Sequence, residues 1–277
     1  MSKQLTISIV GCGWLGLPLA ESLIIRGYAV KGTTTHESKL EALKKSGIDP
    51  YLVHFGSKNP IGSKVLECDA LVINIPPGTR TPDGPQNYRQ MADYFTENIP
   101  ESLIKNIILV SSTSVYGDVN KEVSETDIAT PDSESGKLLK EIEDHFLGIK
   151  NVRVCVLRPA GLVGPERHPA RFMKNKTKID NGQAPVNLIH RDDVIGIITE
   201  LIERDDTQGI YNACSPEHPP KQEFYTLAAE VSGYTPPLFI PEKTSWKTIN
   251  SKRVTEELKY QFKYPSLMDW LRKHPAQ

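Results

Sequence analysis

The stretch Gly11-Cys12-Gly13-Trp14-Leu15-Gly16 constrains this chain more than any other, because of what flanks it. Residues 5–10 are an apolar run in which Ile7 and Ile9 alternate with Thr6 and Ser8, the period of a strand. Residues 15–26 read as a helix that Gly27 stops. Strand, glycine turn and helix in that order give each glycine a physical role. Gly11 permits the tight turn, Gly13 lets a pyrophosphate approach the backbone, and Gly16 lets the helix lie close to the strand. The helix N-terminus offers N–H groups and a partial positive charge to phosphates. Pro18 is compatible with this, since first-turn N–H groups lack intrahelical partners. The turn therefore reads as a dinucleotide-binding loop made by Gly11, Gly13, Trp14, Leu15 and Gly16. Two other readings stay open at this point: a glycine turn that binds nothing, and one that binds S-adenosylmethionine.

The next 130 or so residues alternate strand and helix. Strands are expected at 29–34, 51–55, 70–75, 107–110 and 152–157, and helices at 38–46, 88–97 and 137–147. The last helix carries Leu138, Leu139, Ile142 and Phe146 on one face. Continuous apolar strands separated by helices argue for a parallel sheet covered on both faces. After Gly164-Pro165 the composition shifts to Arg, Lys, His, Pro and Gly through residue 187. A helix at 192–202 follows, with Asp192 or Asp193 as its N-cap, then a strand at 209–212 and helices at 222–231 and 252–258. The expected fold is α/β: a Rossmann doubly wound parallel sheet with helices on both faces and a small C-terminal lobe. Residues 1–165 would form the core, with 188–212 returning to it, and 166–277 mostly the lobe.

Composition narrows the function classes. A net charge of −1 gives no reason to expect nucleic acid or an anionic membrane as partner. No apolar run reaches the roughly 18–20 residues that a bilayer span needs. The first ten residues lack the basic and apolar segments of a signal peptide, so a cytoplasmic location is expected. Cys12, Cys68, Cys155 and Cys214 match no metal-ligand spacing, and no metal is expected. Cys68 and Cys155 read as small buried apolar residues, whereas Cys12, in the loop, is exposed to alkylation on this reading.

The residues that follow the strands carry a resemblance. Ser111-Ser112-Thr113-Ser114-Val115-Tyr116-Gly117 resembles the SSxxVYG stretch of extended short-chain dehydrogenases/reductases. The segment from Leu157-Arg158-Pro159 to Gly164-Pro165 resembles their LRPxxxxGP, and Asn187 to Val194 resembles their NFIHVDDV. Ser251-Lys252-Arg253 with Glu256-Glu257-Leu258 resembles their C-terminal lobe. With the glycine loop, the matches run in the right order along essentially the whole chain. The family comprises nucleotide-sugar epimerases, dehydratases and reductases that share a Rossmann core and a small substrate lobe. The chain departs from the family in the catalytic Tyr-x-x-x-Lys: Lys137 occupies the lysine position, but Ser133 stands where the tyrosine belongs. A serine hydroxyl is a far weaker acid than tyrosine, whose ordinary pKa is about 10, and reaches less far. Asn74-Ile75-Pro76-Pro77-Gly78 also replaces the usual turn after the fourth strand. Both departures resemble the atypical branch of the family.

The resemblance implies a set of site residues. Ser112 takes the catalytic serine position, against the alternative of a serine that satisfies backbone groups. Tyr116 is the only tyrosine within the motifs, as a replacement proton donor or as a packing residue. Lys137 would hold the nicotinamide ribose, and Thr34, Thr35, Ile75 and Pro76 would line the cofactor. An acid near Thr34 would bind the ribose 2′-hydroxyl of NAD. Hydroxyls there, with His36 and Lys39 nearby, favour NADP over NAD, although Glu37 stands close. Arg167, His168 and Arg171 suggest a small-molecule substrate that bears phosphate or another anion. Lys252 and Arg253 resemble diphosphate contacts, or form a solvated helix face. Three functions follow: an NAD(P)-dependent oxidoreductase or epimerase-like enzyme, a non-catalytic NAD(P)-binding regulator or sensor, and a methyltransferase, which the downstream segments oppose. The oligomeric state is left open.

Overall fold

The computed structural model describes residues 4–56, 63–99, 102–173 and 177–276. In chain order the first elements are β1 (Thr6–Val10), α1 (Gly16–Ile25), β2 (Ala29–Thr34), α2 (Leu40–Lys45), β3 (Asp49–Leu52), β4 (Ala70–Ile73), α3 (Gly84–Asn98), β5 (Asn106–Val110), β6 (Lys121–Val123), α4 (Glu134–Leu147) and β7 (Arg153–Pro159). Then come β8 (Gly161–Val163), β9 (Lys178–Ile179), β10 (Leu188–His190), α5 (Arg191–Glu203), β11 (Gly209–Ala213), α6 (Lys221–Val231), β12 (Leu238–Phe239), β13 (Lys247–Ile249), α7 (Lys252–Glu256) and α8 (Leu267–Lys273).

A seven-stranded sheet runs in the order β11-β7-β5-β4-β1-β2-β3. β1 lies between β2 and β4, with Thr6 opposite Ala29 and Ile7 opposite Ala70, and the pairs from β3 through β7 are parallel. Every residue of β4 and β5 is buried, which is why, Asn106 at the start of β5 apart, these strands are uninterrupted runs of apolar residues rather than alternating ones. The strand order reverses between β1 and β4. Connections leave the sheet in opposite directions there, and their loops part to leave a crevice beyond the carboxyl ends. The doubly wound fold expected from the sequence is thus the fold of the protein.

The chain divides into two compact units. The first comprises Met1–Ser112, Ser133–Leu157 and Ile198–Ile210; the second comprises Thr113–Asp132, Arg158–Ile197 and Tyr211–Gln277. Residues 113–132 and 158–165, assigned to the core from the sequence, group with the second unit, because their strands pair within it. β6 pairs with β13 and β8 with β10, both parallel and both joined over long stretches of sequence. In the first unit α3 and α4 pack together, tied by Arg89, whose Nε and Nη2 donate to the two Glu141 carboxylate oxygens at 2.7 and 2.8 Å. The second unit has its own core, in which Phe224 and Ala228 of α6 meet Leu267, Trp270 and Leu271 of α8.

The expected N-cap of α5 is corrected. Asp192 and Asp193 lie inside the helix, which begins at Arg191. The buried Asp193 carboxylate is instead used across the second unit: it accepts from the Lys263 N–H at 2.6 Å, the Tyr264 N–H at 3.1 Å and the Tyr260 hydroxyl at 3.0 Å. Among the described residues no helix is long and apolar enough to cross a membrane.

Candidate functional site

A cleft of about 480 Å³ opens in the first unit at the strand-order reversal. It brings together Gly11 and Gly13 after β1, Thr34, Thr35, His36 and Lys39 after β2, His54 and Phe55 after β3, Asn74, Ile75 and Pro76 after β4, and Asn87 and Tyr88 of α3. Gly11, Gly13, Thr34, Thr35, Ile75 and Pro76 were legible from sequence. His54, Phe55, Asn87 and Tyr88 carry no local motif and were missed.

The three glycines of the loop are used differently. Gly11 has φ of +106°, and a Cβ there would overlap the Asn74 carbonyl and come within 2.7 Å of Ile75 Cγ2. A Cβ on Gly16 would overlap the Gly11 carbonyl oxygen. Around Gly13 nothing lies within 4 Å of the Cβ position. The first and third glycines thus make room for the protein's own backbone, and the second faces open space. Hydrogen bonds fix the loop. The Gly11 N–H donates to Thr33 Oγ1 at 3.0 Å and the Cys12 N–H to the Thr33 carbonyl at 2.9 Å. Asn74 Nδ2 donates back to the Gly11 carbonyl at 3.2 Å. Asn74 was not singled out from sequence, although it begins the segment that departs from the family pattern.

Cys12 belongs to the cleft lining, but its side chain packs into the protein. It is buried beside Gly32, where a Cβ would approach its sulfur to 2.6 Å. Burial pushes its pKa up to about 12, against the pull of the Thr33 backbone. The group is a thiol rather than a reactive thiolate at neutral pH, so the expected ease of alkylation is corrected.

Thr34 is buried and its Oγ1 accepts from the His36 N–H at 3.2 Å, which turns the chain after β2. Thr35, His36 and Lys39 are exposed on the cleft lining, whereas Glu37 does not line it.

The remaining candidates stand elsewhere. Ser112 follows β5 and is half-buried; its neighbour Ser111 donates to the buried Glu143 at 2.6 Å. Ser133 caps α4, its Oγ accepting from the Gly136 N–H at 3.1 Å. Lys137 lies on the exposed side of α4 and pairs with Glu134 at 2.7 Å. Tyr116 is buried in the second unit. Its hydroxyl receives a hydrogen bond from Arg158 Nη1 at 2.6 Å and lies 3.0 Å from the Ser124 carbonyl and 3.1 Å from Asn212 Oδ1. Burial raises the phenol's pKa, although Arg158 and Asn212 pull it down. Three partners around one buried hydroxyl are the pattern of a structural tyrosine.

His168 and Arg171 line a separate cavity within the second unit, and Arg167 lines neither this cavity nor the cleft. Arg253 is held inside the second unit, its Nε on Glu257 at 2.8 Å and its guanidinium 4.1 Å above the Tyr211 ring. Lys252 is exposed at the start of α7.

No family model matches the chain. Among solved structures, a conserved protein of unknown function from Silicibacter pomeroyi is 25% identical, with a TM-score of 0.77 over 97% of each chain. The UDP-glucuronic acid 4-epimerase of Bacillus cereus, solved with NAD, has a TM-score of 0.76 at 18% identity, over 97% of this chain and 96% of its own. Sheet order and these likenesses define the class of fold: a Rossmann-like α/β protein similar in structure to NAD-dependent epimerases. Within it, the chain belongs to the family of Protein YeeZ of Escherichia coli strain K12, to which it is 41% identical over 265 residues, 94% of this chain and 96% of the relative.

Proposed function

We propose that the chain is an NAD(P)-dependent oxidoreductase of the atypical extended type, acting on a carbonyl or hydroxyl of a small anionic substrate such as a nucleotide sugar. The observation that carries this reading is the open side of Gly13 at the head of a cleft whose other glycines are filled by backbone. That is where a pyrophosphate needs to come close. The residues present therefore fit a dinucleotide. When bound, its nicotinamide supplies hydride transfer.

NADP is the favoured form. His36 and Lys39 line the cleft after β2, and among the described residues no carboxylate lines it to repel a 2′-phosphate. Ser112 would present its hydroxyl to the substrate oxygen, and Lys137 would hold the ribose after leaving Glu134, an exposed pair held weakly in water. Tyr116 is a poor proton donor here, because its hydroxyl already has three partners. Water is the better source. The UDP-sugar chemistry named for the Bacillus cereus relative supports a phosphate-bearing substrate.

The test is a turnover assay with NADPH over a panel of sugar nucleotides and simple carbonyls. Substrate-dependent oxidation is expected, lost in Ser112→Ala and Lys137→Ala. Unchanged turnover in both variants would sink the assignment of roles.

A further inference from the structure

One side chain on the lining of the first unit's cleft has a polar atom that the fold does not use. α3 starts where the chain leaves the loop after β4. Pro85 stands in its first turn, and no side chain caps it. Gly84 is pinned there, since a Cβ on it would overlap the Gly78 carbonyl oxygen. Gly78 and Gly84 both line the cleft, and so, one turn further along, do Asn87 and Tyr88.

The inner face of α3 is Tyr88, Met91, Ala92 and Phe95, the i, i+3, i+4, i+7 spacing of a buried helix stripe. Such a stripe needs apolar surface, which a phenylalanine at position 88 would supply as well. The tyrosine adds an oxygen. Tyr88 is 3% exposed, and its hydroxyl has no hydrogen-bond partner among the described residues. Buried hydroxyls are rarely left so, because an unpaired one costs the desolvation of the group. No other fully buried side-chain polar atom of the cleft lining is without a partner among the described residues.

The surroundings fix how the hydroxyl can act. The charge it feels is that of Glu143, buried on α4, whose Oε1 accepts from Ser111 Oγ at 2.6 Å. Burial and this carboxylate push the phenol's pKa up, so the proton stays on the oxygen. Tyr88 therefore offers an O–H donor and calls for an acceptor. A dinucleotide carries acceptors along its whole length, on its phosphates, riboses and base.

We propose that Tyr88 is a further binding residue of the cleft, its hydroxyl donating to an acceptor of the bound dinucleotide. The proposal rests on the cofactor reading given above. A turn of the side chain about its Cα–Cβ bond brings the hydroxyl to the ligand, a rotamer change of the kind that commonly accompanies binding. The bond then formed offsets a cost that the oxygen imposes on the free protein.

Tyr88→Phe keeps the ring and removes the oxygen. The variant is expected to unfold at the same temperature as the unaltered chain or a higher one, yet to bind NADPH about three- to tenfold more weakly, the loss of one hydrogen bond. In protein with ring-labelled tyrosine, the signal missing from the variant identifies Tyr88, and it is expected to shift when NADPH saturates the unaltered chain. Unchanged affinity in Tyr88→Phe or an unmoved Tyr88 signal would overturn the proposal. So would a lower unfolding temperature of the variant, which would mean that the fold itself uses the hydroxyl. The two readings fail differently. If the unaltered chain binds neither NADPH nor NADH, the cofactor reading falls and this proposal with it. If it binds them and Tyr88→Phe binds equally well, only the role of Tyr88 is lost.

Discussion

The polar groups of the two units are arranged in opposite ways. In the second unit several buried ones satisfy one another. Tyr116 is held by Arg158, Ser124 and Asn212, Asp193 by three donors, and Arg253 by Glu257 and the Tyr211 ring. In the cleft of the first unit the loop is equally well fixed, but the fixing bonds are made on its protein side. Thr33 and Asn74 anchor Gly11 and Cys12, while Gly13, Thr35, His36 and Lys39 face outward. The difference separates residues that resemble a family's machinery from residues in a position to act. Motif Tyr116 is built into a network; motif Gly13 is built to leave room.

The sharpest way to break this comparison is to treat the three glycines separately. Gly11→Ala and Gly16→Ala are expected to abolish NADP(H) binding and to destabilise the fold by about 2–4 kcal/mol, since each Cβ would overlap backbone. Gly13→Ala is expected to leave thermal unfolding within a few tenths of a kcal/mol and yet to weaken NADP(H) binding by about tenfold or more. Equal stability losses in all three would contradict the distinct role of Gly13.

A second prediction concerns acid stability. An unburied His190 would titrate near 6.5, but in the fold burial holds it at about 4, opposed by Asp192 and aided by Lys263, Arg191 and His274. Between those two values the unfolded chain takes up a proton that the native one does not. Stability is therefore full above pH 6.5 and falls as the pH drops toward 4, by up to about 3 kcal/mol from this group. Urea midpoints measured across that range should show a shallower fall in His190→Gln; parallel curves would remove His190 from the account.

Smaller still is the expected effect of Tyr116→Phe. It removes one acceptor from Arg158, which is 1% exposed, and should lower stability by about 1–3 kcal/mol in urea unfolding. Turnover should follow the folded fraction, because water and not the phenol is assigned the proton. A specific loss of kcat in folded protein would restore Tyr116 as the donor. The smallest effect is expected for Lys39→Ala, an exposed charge. It should weaken NADP by a factor of about three to ten with little change for NAD, a difference of roughly 1 kcal/mol.

What was legible in the sequence follows the range of the interactions. The turn at Gly11 and the helix after it are local, and three glycines at fixed spacing announce them. The buried strands announce themselves as apolar runs, so the doubly wound order could be inferred. Asn74 acts on Gly11 across 63 positions and has no signature. Tyr116 meets Asn212 across 96 positions, so its environment was invisible locally. The misassigned cap of α5 has the same cause. An acid at a helix start reads as a cap, but Asp193 is claimed by backbone N–H groups about 70 positions away.

The central claim is that the cleft of the first unit binds a dinucleotide, with NADP preferred. Titration of the full chain with NADPH and with NADH, followed by nicotinamide fluorescence, tests it most directly. The account predicts saturable binding of both, tighter for NADPH, with the preference narrowed in Lys39→Ala and both affinities weakened in Gly13→Ala. No saturable binding of either cofactor to the folded protein at concentrations up to about 1 mM would contradict it.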